Sequence, residues 1–245
     1  MHSIAVLQAR MTSTRLPGKV LRPICGIASL QLQMERVLRA ETLDGVIIAT
    51  TVKPTDDPVV TLASQLQIPC FRGSEDDVLS RFVGAVADTT ATHIVRLTGD
   101  CPLADPAIID RVVQSLFHSG ADYASNTLER TYPIGMDVEI FNREALGRAN
   151  ARATRVDERE HVTLHIYRHP EDYRLLNVLA PAEQTRPDLR LTLDTVEDLR
   201  LIESIYDALY PTKPDFDLDD ILALLDARPE LAKINSAVPH NWVNT

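Results

Sequence analysis

Long apolar runs are missing from this 245-residue chain, and without a stretch of about 18 or more apolar residues it has no membrane-spanning helix of the usual kind. Basic residues are scarce, 25 Lys and Arg against 35 Asp and Glu, which leaves a formal net charge of −10. Sequence-tolerant affinity for nucleic acid comes from Lys and Arg meeting phosphates, so this balance excludes that class of partner. An anionic small molecule stays admissible where cations cluster locally or a metal intervenes. Cysteine is sparse and odd in number. Cys25, Cys70 and Cys101 stand too far apart for a Cys-x-x-Cys pair, and reduced thiols in a cytoplasm are expected. The opening Met1-His2-Ser3-Ile4 has no basic stretch leading into an apolar segment, so a soluble, unexported chain is expected. Neither Gly-x-x-x-x-Gly-Lys-Ser/Thr nor Gly-x-Gly-x-x-Gly occurs at the first loop, which removes the main support for common ATPase and dinucleotide readings.

What is present is 44% apolar residues, enough to bury a core in a single domain spanning 1–245. Short apolar runs alternate with amphipathic stretches through the first half. That alternation predicts an α/β, Rossmann-like, mostly parallel sheet with helices on its faces. Strands are predicted at 4–7, 46–50, 69–71 and 93–97, and crossover helices at 29–39, 56–66 and 75–86. Asp105-Pro106 opens a further helix over 106–117, with Asp105 as N-cap. After Tyr123 the alternation fades. A loop at 126–135, a strand at 137–141 and helices at 143–151 and 157–168 make the portion near 126–179 look like an insert. Strands at 173–179 and 189–193 and helices at 195–209 and 218–226 complete the pattern, while 238–245 carries no helix or strand signal.

The first strand runs into Gln8-Ala9-Arg10-Met11-Thr12-Ser13-Thr14-Arg15-Leu16-Pro17-Gly18-Lys19. In an open parallel sheet, ligands bind beyond the carboxyl ends of strands, where this loop must sit. Arg10 and Arg15 can fork onto phosphate oxygens, Lys19 supplies a compact charge, and Gly18 lets the backbone approach closely. The plain alternative is a solvated basic loop that only joins a strand to a helix.

Asp100 follows an apolar strand through Thr98-Gly99, which puts its carboxylate at the strand's carboxyl end beside the basic loop, a place for a metal ligand. Its plain alternative is an Asp in a Gly-Asp turn. Asp194 ends a short strand before a helix, yet Asp194-Thr195-Val196-Glu197 also resembles a capping box, so N-capping stays open. Asp198 is either an inner metal ligand or a first-turn acid favoured by the helix dipole. His161 and His165 lie one helical turn apart, but no third ligand accompanies them, and surface or pocket histidines are the reading preferred over zinc. Cys101 has no base placed to activate it and is read as a small buried residue.

Gln8–Leu21 resembles the signature of the cytidylyltransferase family that includes CMP-Kdo and CMP-sialic acid synthetases. Further blocks, 71–79, 96–103, 132–139, 158–162 and 190–199, run in register and resemble its spore coat polysaccharide SpsF-like branch most. Thr98 and Cys101 stand where CMP-Kdo synthetases carry Gln and Glu, which sets the chain apart from the Kdo pattern. The resemblance implies a GT-A-like nucleotide-diphospho-sugar transferase fold with a dimerising, acceptor-binding insert, and a Mg²⁺-dependent transfer of CMP from CTP. Acceptors of that chemistry are sugar acids, sugar phosphates and phosphonates, and the product joins surface polysaccharide or glycoconjugate synthesis. It implies that Gln8, Ala9, Arg10, Ser13, Arg15, Gly18, Lys19, Arg72, Gly73, Ser74 and Thr98 hold the nucleotide, with Arg10, Arg15, Lys19 and Asp100 catalytic. It implies that Asp100 and Asp194 hold Mg²⁺, an ion that prefers few hard oxygen ligands shared with phosphates. Two like charges about 4 Å apart repel by about 4 kcal/mol at an effective dielectric near 20, so carboxylates aimed at a triphosphate need a cation between them. Asp137, Glu139 and His161 are the candidates for the acceptor pocket, and a homodimer is expected.

Two rivals remain at this point. A glycosyltransferase on the same broad fold usually carries Asp-x-Asp near mid-chain, and Asp100-Cys101-Pro102 lacks the second acid. A nucleotide-binding module without turnover has no need to keep the basic loop and both acids.

Overall fold

A computed structural model describes residues 2–239. Its strands are β1 (Ser3–Gln8), β2 (Pro23–Ile24), β3 (Ile27–Ala28), β4 (Gly45–Thr51), β5 (Cys70–Gly73), β6 (His93–Thr98), β7 (Tyr123–Ser125), β8 (Glu139–Asn142) and β9 (Leu175–Asn177). Seven of these form one sheet in the order β5-β4-β1-β6-β8-β7-β9, and β2 pairs with β3 in a separate small ribbon. The pairs β1–β4, β1–β6, β4–β5 and β7–β9 are parallel, whereas β8 runs antiparallel to both β6 and β7. The expected mostly parallel α/β sheet is what the chain builds.

The helices are α1 (Ser29–Val37), α2 (Asp57–Gln65), α3 (Val78–Val86), α4 (Pro106–Ser119), α5 (Arg143–Arg152), α6 (Val156–Glu160), α7 (Leu164–Arg168), α8 (Val196–Leu209), α9 (Leu218–Ala227) and α10 (Pro229–Ala232). Residues on β1 alternate between two cores. Ala5 and Leu7 pack with α1, α2, α4, α8 and α9, while Ile4 and Val6 pack with α3, α5 and α7. A strand buried on both faces is mostly apolar, as Ile4–Leu7 of β1 is, whereas β6 carries Arg96, whose charge is met by Glu139 of β8.

The N-cap at Asp105 is present, its carboxylate accepting from the amides of Ala107 and Ile108 at 2.8 and 3.3 Å. Three elements differ from their predicted form. The 157–168 helix is interrupted at His161–Thr163, between α6 and α7. The 189–193 segment is extended but joins no strand of the sheet: Leu191 N donates to Ile134 O, Leu193 N donates to Asp100 O, and Arg190 forms an isolated bridge with Ile134. Helix α3 starts at Val78, because Asp77 caps it through the Ser80 amide at 2.9 Å. The 126–179 stretch supplies β8, β9, α5, α6 and α7, with β8 paired to β6 in the main sheet. Residues 240–245, most of the tail read as lacking structural signal, lie outside the described residues.

Candidate active site

Parallel strands β1, β4, β5 and β6 all finish at one rim of the sheet, and there the basic loop leaves Gln8. Two backbone bonds set its direction, Ala9 N to Ala49 O at 3.1 Å and Gly99 N to Gln8 O at 2.8 Å. A Cβ at position 99 would stand 2.9 Å from Ala9 Cβ and 3.0 Å from Gln8 O, so glycine is what lets the ends of β1 and β6 close together. The loop is then pinned twice. Met11 N donates to buried Asp56 Oδ1 at 2.7 Å, and Gly18 N, in the left-handed region at φ 69°, donates to Met11 O at 2.9 Å. That fold-back aims Lys19 into the rim.

Lys19 Nζ stands 2.7 Å from Asp100 Oδ2 and 2.7 Å from Asp194 Oδ1. Arg15 Nη2 reaches Asp194 Oδ2 at 2.9 Å, and Arg190 Nη2 reaches the same oxygen at 2.6 Å. The loops bearing the two acids are tied directly, since Asp100 O accepts from Leu193 N at 2.7 Å and from Thr192 Oγ1 at 3.0 Å. Burial opposes charge at all three groups, but their mutual attraction outweighs it. Lys19 is raised above the ordinary lysine value; Asp100 is lowered to about 2 by Lys19 and Thr98, and Asp194 is lowered by Lys19 and Arg190. All three are therefore ionised at neutral pH.

The N-cap of α8 is Thr195, not Asp194. Thr195 Oγ1 accepts from Asp198 N at 3.2 Å, and Asp198 Oδ2 accepts from Thr195 N at 3.0 Å, a reciprocal box shifted one residue along the chain from the sequence pattern. Asp198 is fully buried and also accepts from Asp194 N, Arg190 and Asn235, so its oxygens are engaged in fixing α8 and Arg190. Asp194 keeps its carboxylate turned to the rim. Between Asp100 and Asp194, two hard carboxylates share one cation, the donor set a small divalent ion prefers.

Beside these groups lies a cleft of about 460 Å³ lined by Gln8, Ala9, Arg10, Ser13, Arg15, Lys19, Thr98, Asp100 and Asp194. Gln8 Oε1 is buried there and has no partner among the described residues. Gly18 lines an adjoining recess with Arg10 and Thr12. Arg10 is half-exposed and contacts Glu75 at 3.4 Å. Three nucleotide candidates are not brought into the cleft. Arg72 is fastened to Asp57 at 2.7 Å and to the carbonyls of Thr51 and Lys53 at 2.8 Å each, Gly73 packs on Arg81, and Ser74 Oγ accepts from Asp77 N at 3.0 Å.

The acceptor candidates are scattered. Asp137 holds Arg130 through two bonds of 2.6 and 2.9 Å. Glu139 is buried, paired closely with Arg96 and accepting from Tyr123 Oη and Thr163 Oγ1 at 2.6 Å each. His161 is half-buried at the break between α6 and α7, and burial lowers its pKa. It is not stacked beside His165, because the helix they were expected to share is broken; His165 instead pairs with His169. Cys101 is buried, and burial with the neighbouring Asp100 carboxylate pushes its thiol well above the ordinary range, which fits the inert role read for it. Arg190, Asp56 and Glu75 are structural parts of the site that were not singled out as site residues, although Glu75 lay inside the 71–79 block. Arg190 lay inside a recognised block, and only the packing of 189–193 against Gly135 reveals what it clamps.

A family model described as cytidylyltransferase matches residues 4–224. Spore coat polysaccharide biosynthesis protein SpsF of Bacillus subtilis is 37% identical over 232 residues, covering 93% of this chain and 95% of that protein. A cytidylyltransferase from Leptospira borgpetersenii superposes with a TM-score of 0.90 at 30% identity over 99% of each chain. The synthetase of CMP:2-keto-3-deoxy-manno-octonic acid, solved in complex with CTP, shares the fold at a TM-score of 0.63 and 17% identity, over 84% of this chain and 99% of that one.

Proposed function

Since this chain belongs to the cytidylyltransferase family and is a nucleotidyltransferase, we propose that it transfers CMP from CTP to a sugar acid, sugar phosphate or phosphonate and releases pyrophosphate. The product would enter surface polysaccharide or glycoconjugate synthesis, in the cytoplasm. The observation that carries this reading is the meeting of Lys19, Arg15, Asp100 and Asp194 at the mouth of one cleft.

The reaction makes one bond and breaks one. An acceptor oxygen attacks the α-phosphorus in line, and the bond from that phosphorus to the bridging oxygen of the β-phosphate breaks. A phosphate or phosphonate acceptor arrives ionised, whereas a hydroxyl must lose a proton. Arg10, Arg15 and Lys19 neutralise the triphosphate and hold it for attack, which supplies positioning and charge stabilisation without a covalent intermediate. Gln8 Oε1, an acceptor without a partner among the described residues, suits the amino group of cytosine. Asp100 and Asp194 are the residues that would hold Mg²⁺, and their sharing of one ammonium supports that fit. When bound, Mg²⁺ would neutralise and polarise phosphate oxygens. On this reading the 126–179 stretch shapes the acceptor pocket and carries the contact surface of a homodimer, while buried Glu139 serves to hold Arg96.

A pyrophosphate-release screen crossing four nucleoside triphosphates with ulosonic acids, sugar phosphates and phosphonates tests the proposal. Release with CTP and one acceptor class, in the presence of Mg²⁺, is the expected result. Release with another nucleotide in preference to CTP, or with none of the combinations, overturns it.

A further inference from the structure

We infer that Glu158, His165 and His169 form a separate metal site that takes an imidazole-preferring divalent transition ion, Zn²⁺ foremost. One ligand-type atom from each residue lies within 4.8 Å of those of the other two. The break in the chain at His161–Thr163 is what assembles them: α6 carries Glu158, α7 carries His165, and His169 caps α7 one turn further on. Had one continuous helix run through 157–168, as the sequence pattern suggests, the cluster would not close in this way.

The chemistry of each donor suits a soft-to-borderline ion. His169 Nδ1 lies 2.7 Å from the carbonyl of His165, which makes that nitrogen the proton carrier and leaves the Nε2 lone pair available. His165 is 5% exposed, and its Nε2 has no hydrogen-bond partner among the described residues. A buried ring nitrogen without a partner is costly unless something meets it. His165 Nδ1 donates to Glu158 Oε2 at 3.2 Å, which keeps the proton on Nδ1 and leaves the buried Nε2 lone pair as the donor His165 offers an ion. The two imidazole rings stand 4.2 Å apart. Two neutral imidazoles and one carboxylate offset half the charge of a divalent ion, and three protein ligands leave a fourth position for water. Arg148, stacked on Tyr173 beside His165, leans on Asp122 and Glu144 at 3.8 and 3.5 Å, so acids balance its charge.

This site is independent of the nucleotide cleft. Helix α7 packs on the sheet face that carries Ile4 and Val6, whereas α8, which follows Asp194, packs on the opposite face. A bound ion would join α6 to α7 and hold the break between them.

The test is calorimetric titration of chelator-treated full-length protein with ZnCl₂, together with the visible spectrum of a Co²⁺ titration. One ion per chain is expected, with the intense absorption of tetrahedral Co²⁺. Affinity should fall at least about tenfold in Glu158→Gln and in His169→Ala, the half-buried ligand whose loss leaves the core intact, and stay unchanged in Asp100→Asn. Zn²⁺ should also raise the Tm of the wild type and not that of His169→Ala. Equal Zn²⁺ affinity in wild type and His169→Ala, or no binding by the wild type, would overturn the inference.

Discussion

Lys19 and Asp194 meet at 2.7 Å across the mouth of the cleft, and the same ammonium makes a second bond of 2.7 Å to Asp100. A lysine at this point both holds two carboxylates together and bars them from repelling one another. Two unscreened like charges about 4 Å apart would cost about 4 kcal/mol at an effective dielectric near 20. Lys19→Ala should therefore lower the Tm in metal-free buffer, and added Mg²⁺ should recover most of the loss. Wild type should gain much less from Mg²⁺. Differential scanning calorimetry with and without Mg²⁺ reads this; an equal Mg²⁺ response in both proteins would deny the two acids a shared cation position.

Asp100→Asn and Asp194→Asn should each cut turnover by about 10² or more, as removal of a main electrostatic element does. Neither removes core volume, and the α8 cap rests on Thr195 and Asp198, so both variants should fold. Pyrophosphate release with CTP measures the first claim and circular dichroism melts the second. Full activity in Asp194→Asn would assign its carboxylate to holding Arg15 and Arg190 alone.

Arg15→Lys keeps the charge and loses the fork, so its CTP affinity separates geometry from electrostatics. A lost charge-assisted contact costs about 1.5–3 kcal/mol, or roughly ten- to a hundredfold in binding. Arg10→Ala and Arg15→Lys should lie in that range by calorimetry. Arg200→Ala, on the exposed side of α8, is the control, and losses in both loop variants no larger than the control's would return the loop to a mere connection.

Asp77 links α3 to α6, accepting from Ser80 N at 2.9 Å and from Arg159 at 3.0 and 2.7 Å. Burial opposes its charge, but the bonds from Arg159 and Ser80 win and hold its pKa below the ordinary value. The folded value being depressed, the stability it contributes is complete above about pH 4, the unfolded value, and is lost as pH falls through the folded one. Solvent screening limits the contribution to about 1 kcal/mol or less. Asp77→Asn retains the cap and loses the charge. The Tm gap between wild type and Asp77→Asn should be open at pH 7 and close on acidification; a gap constant from pH 7 to pH 3 would show that charge contributes nothing there.

Strands β1 and β4 were legible in the sequence because burial on both faces favours apolar runs, as was β6 despite its Arg96, which Glu139 neutralises, and the glycine-bearing rim loops followed from strand ends. Segment 189–193 misled for a physical reason. Its leucines alternate as a strand's do, yet its backbone bonds go to Ile134 and Asp100. Gly135 permits that crossing, since at φ 102° it brings its α-carbon so near Leu191 that a Cβ would stand 2.7 Å from the carbonyl carbon. Contacts of that sort join distant segments and leave no periodic mark. The same holds for Arg190, whose guanidinium decides which way Asp194 and Asp198 face, and for Arg72, drawn aside by carbonyls of a neighbouring strand. The capping box was visible but displaced by one residue, and only the observed bonds assign it to Thr195.

Strand β8 runs against β6, with Arg96 opposite Glu139 and His93 opposite Asn142. Its first residue consequently lies near the rim where β1 and β6 end, and the stretch before it, 132–138, opens onto the same side as the basic loop. The rim is thus served by outgoing loops of the first hundred residues and by two later segments, 132–138 and the 189–194 stretch that brings Asp194 to Lys19. The incoming segment is not free to diverge, because Ile134 bonds to Leu189 and Leu191 and Gly135 meets Leu191, so a change in 132–138 reaches Arg190 and Asp194 through 189–193. Exchange of 132–138 between relatives therefore has to carry 189–193 with it, since one segment is the seat on which the other rests.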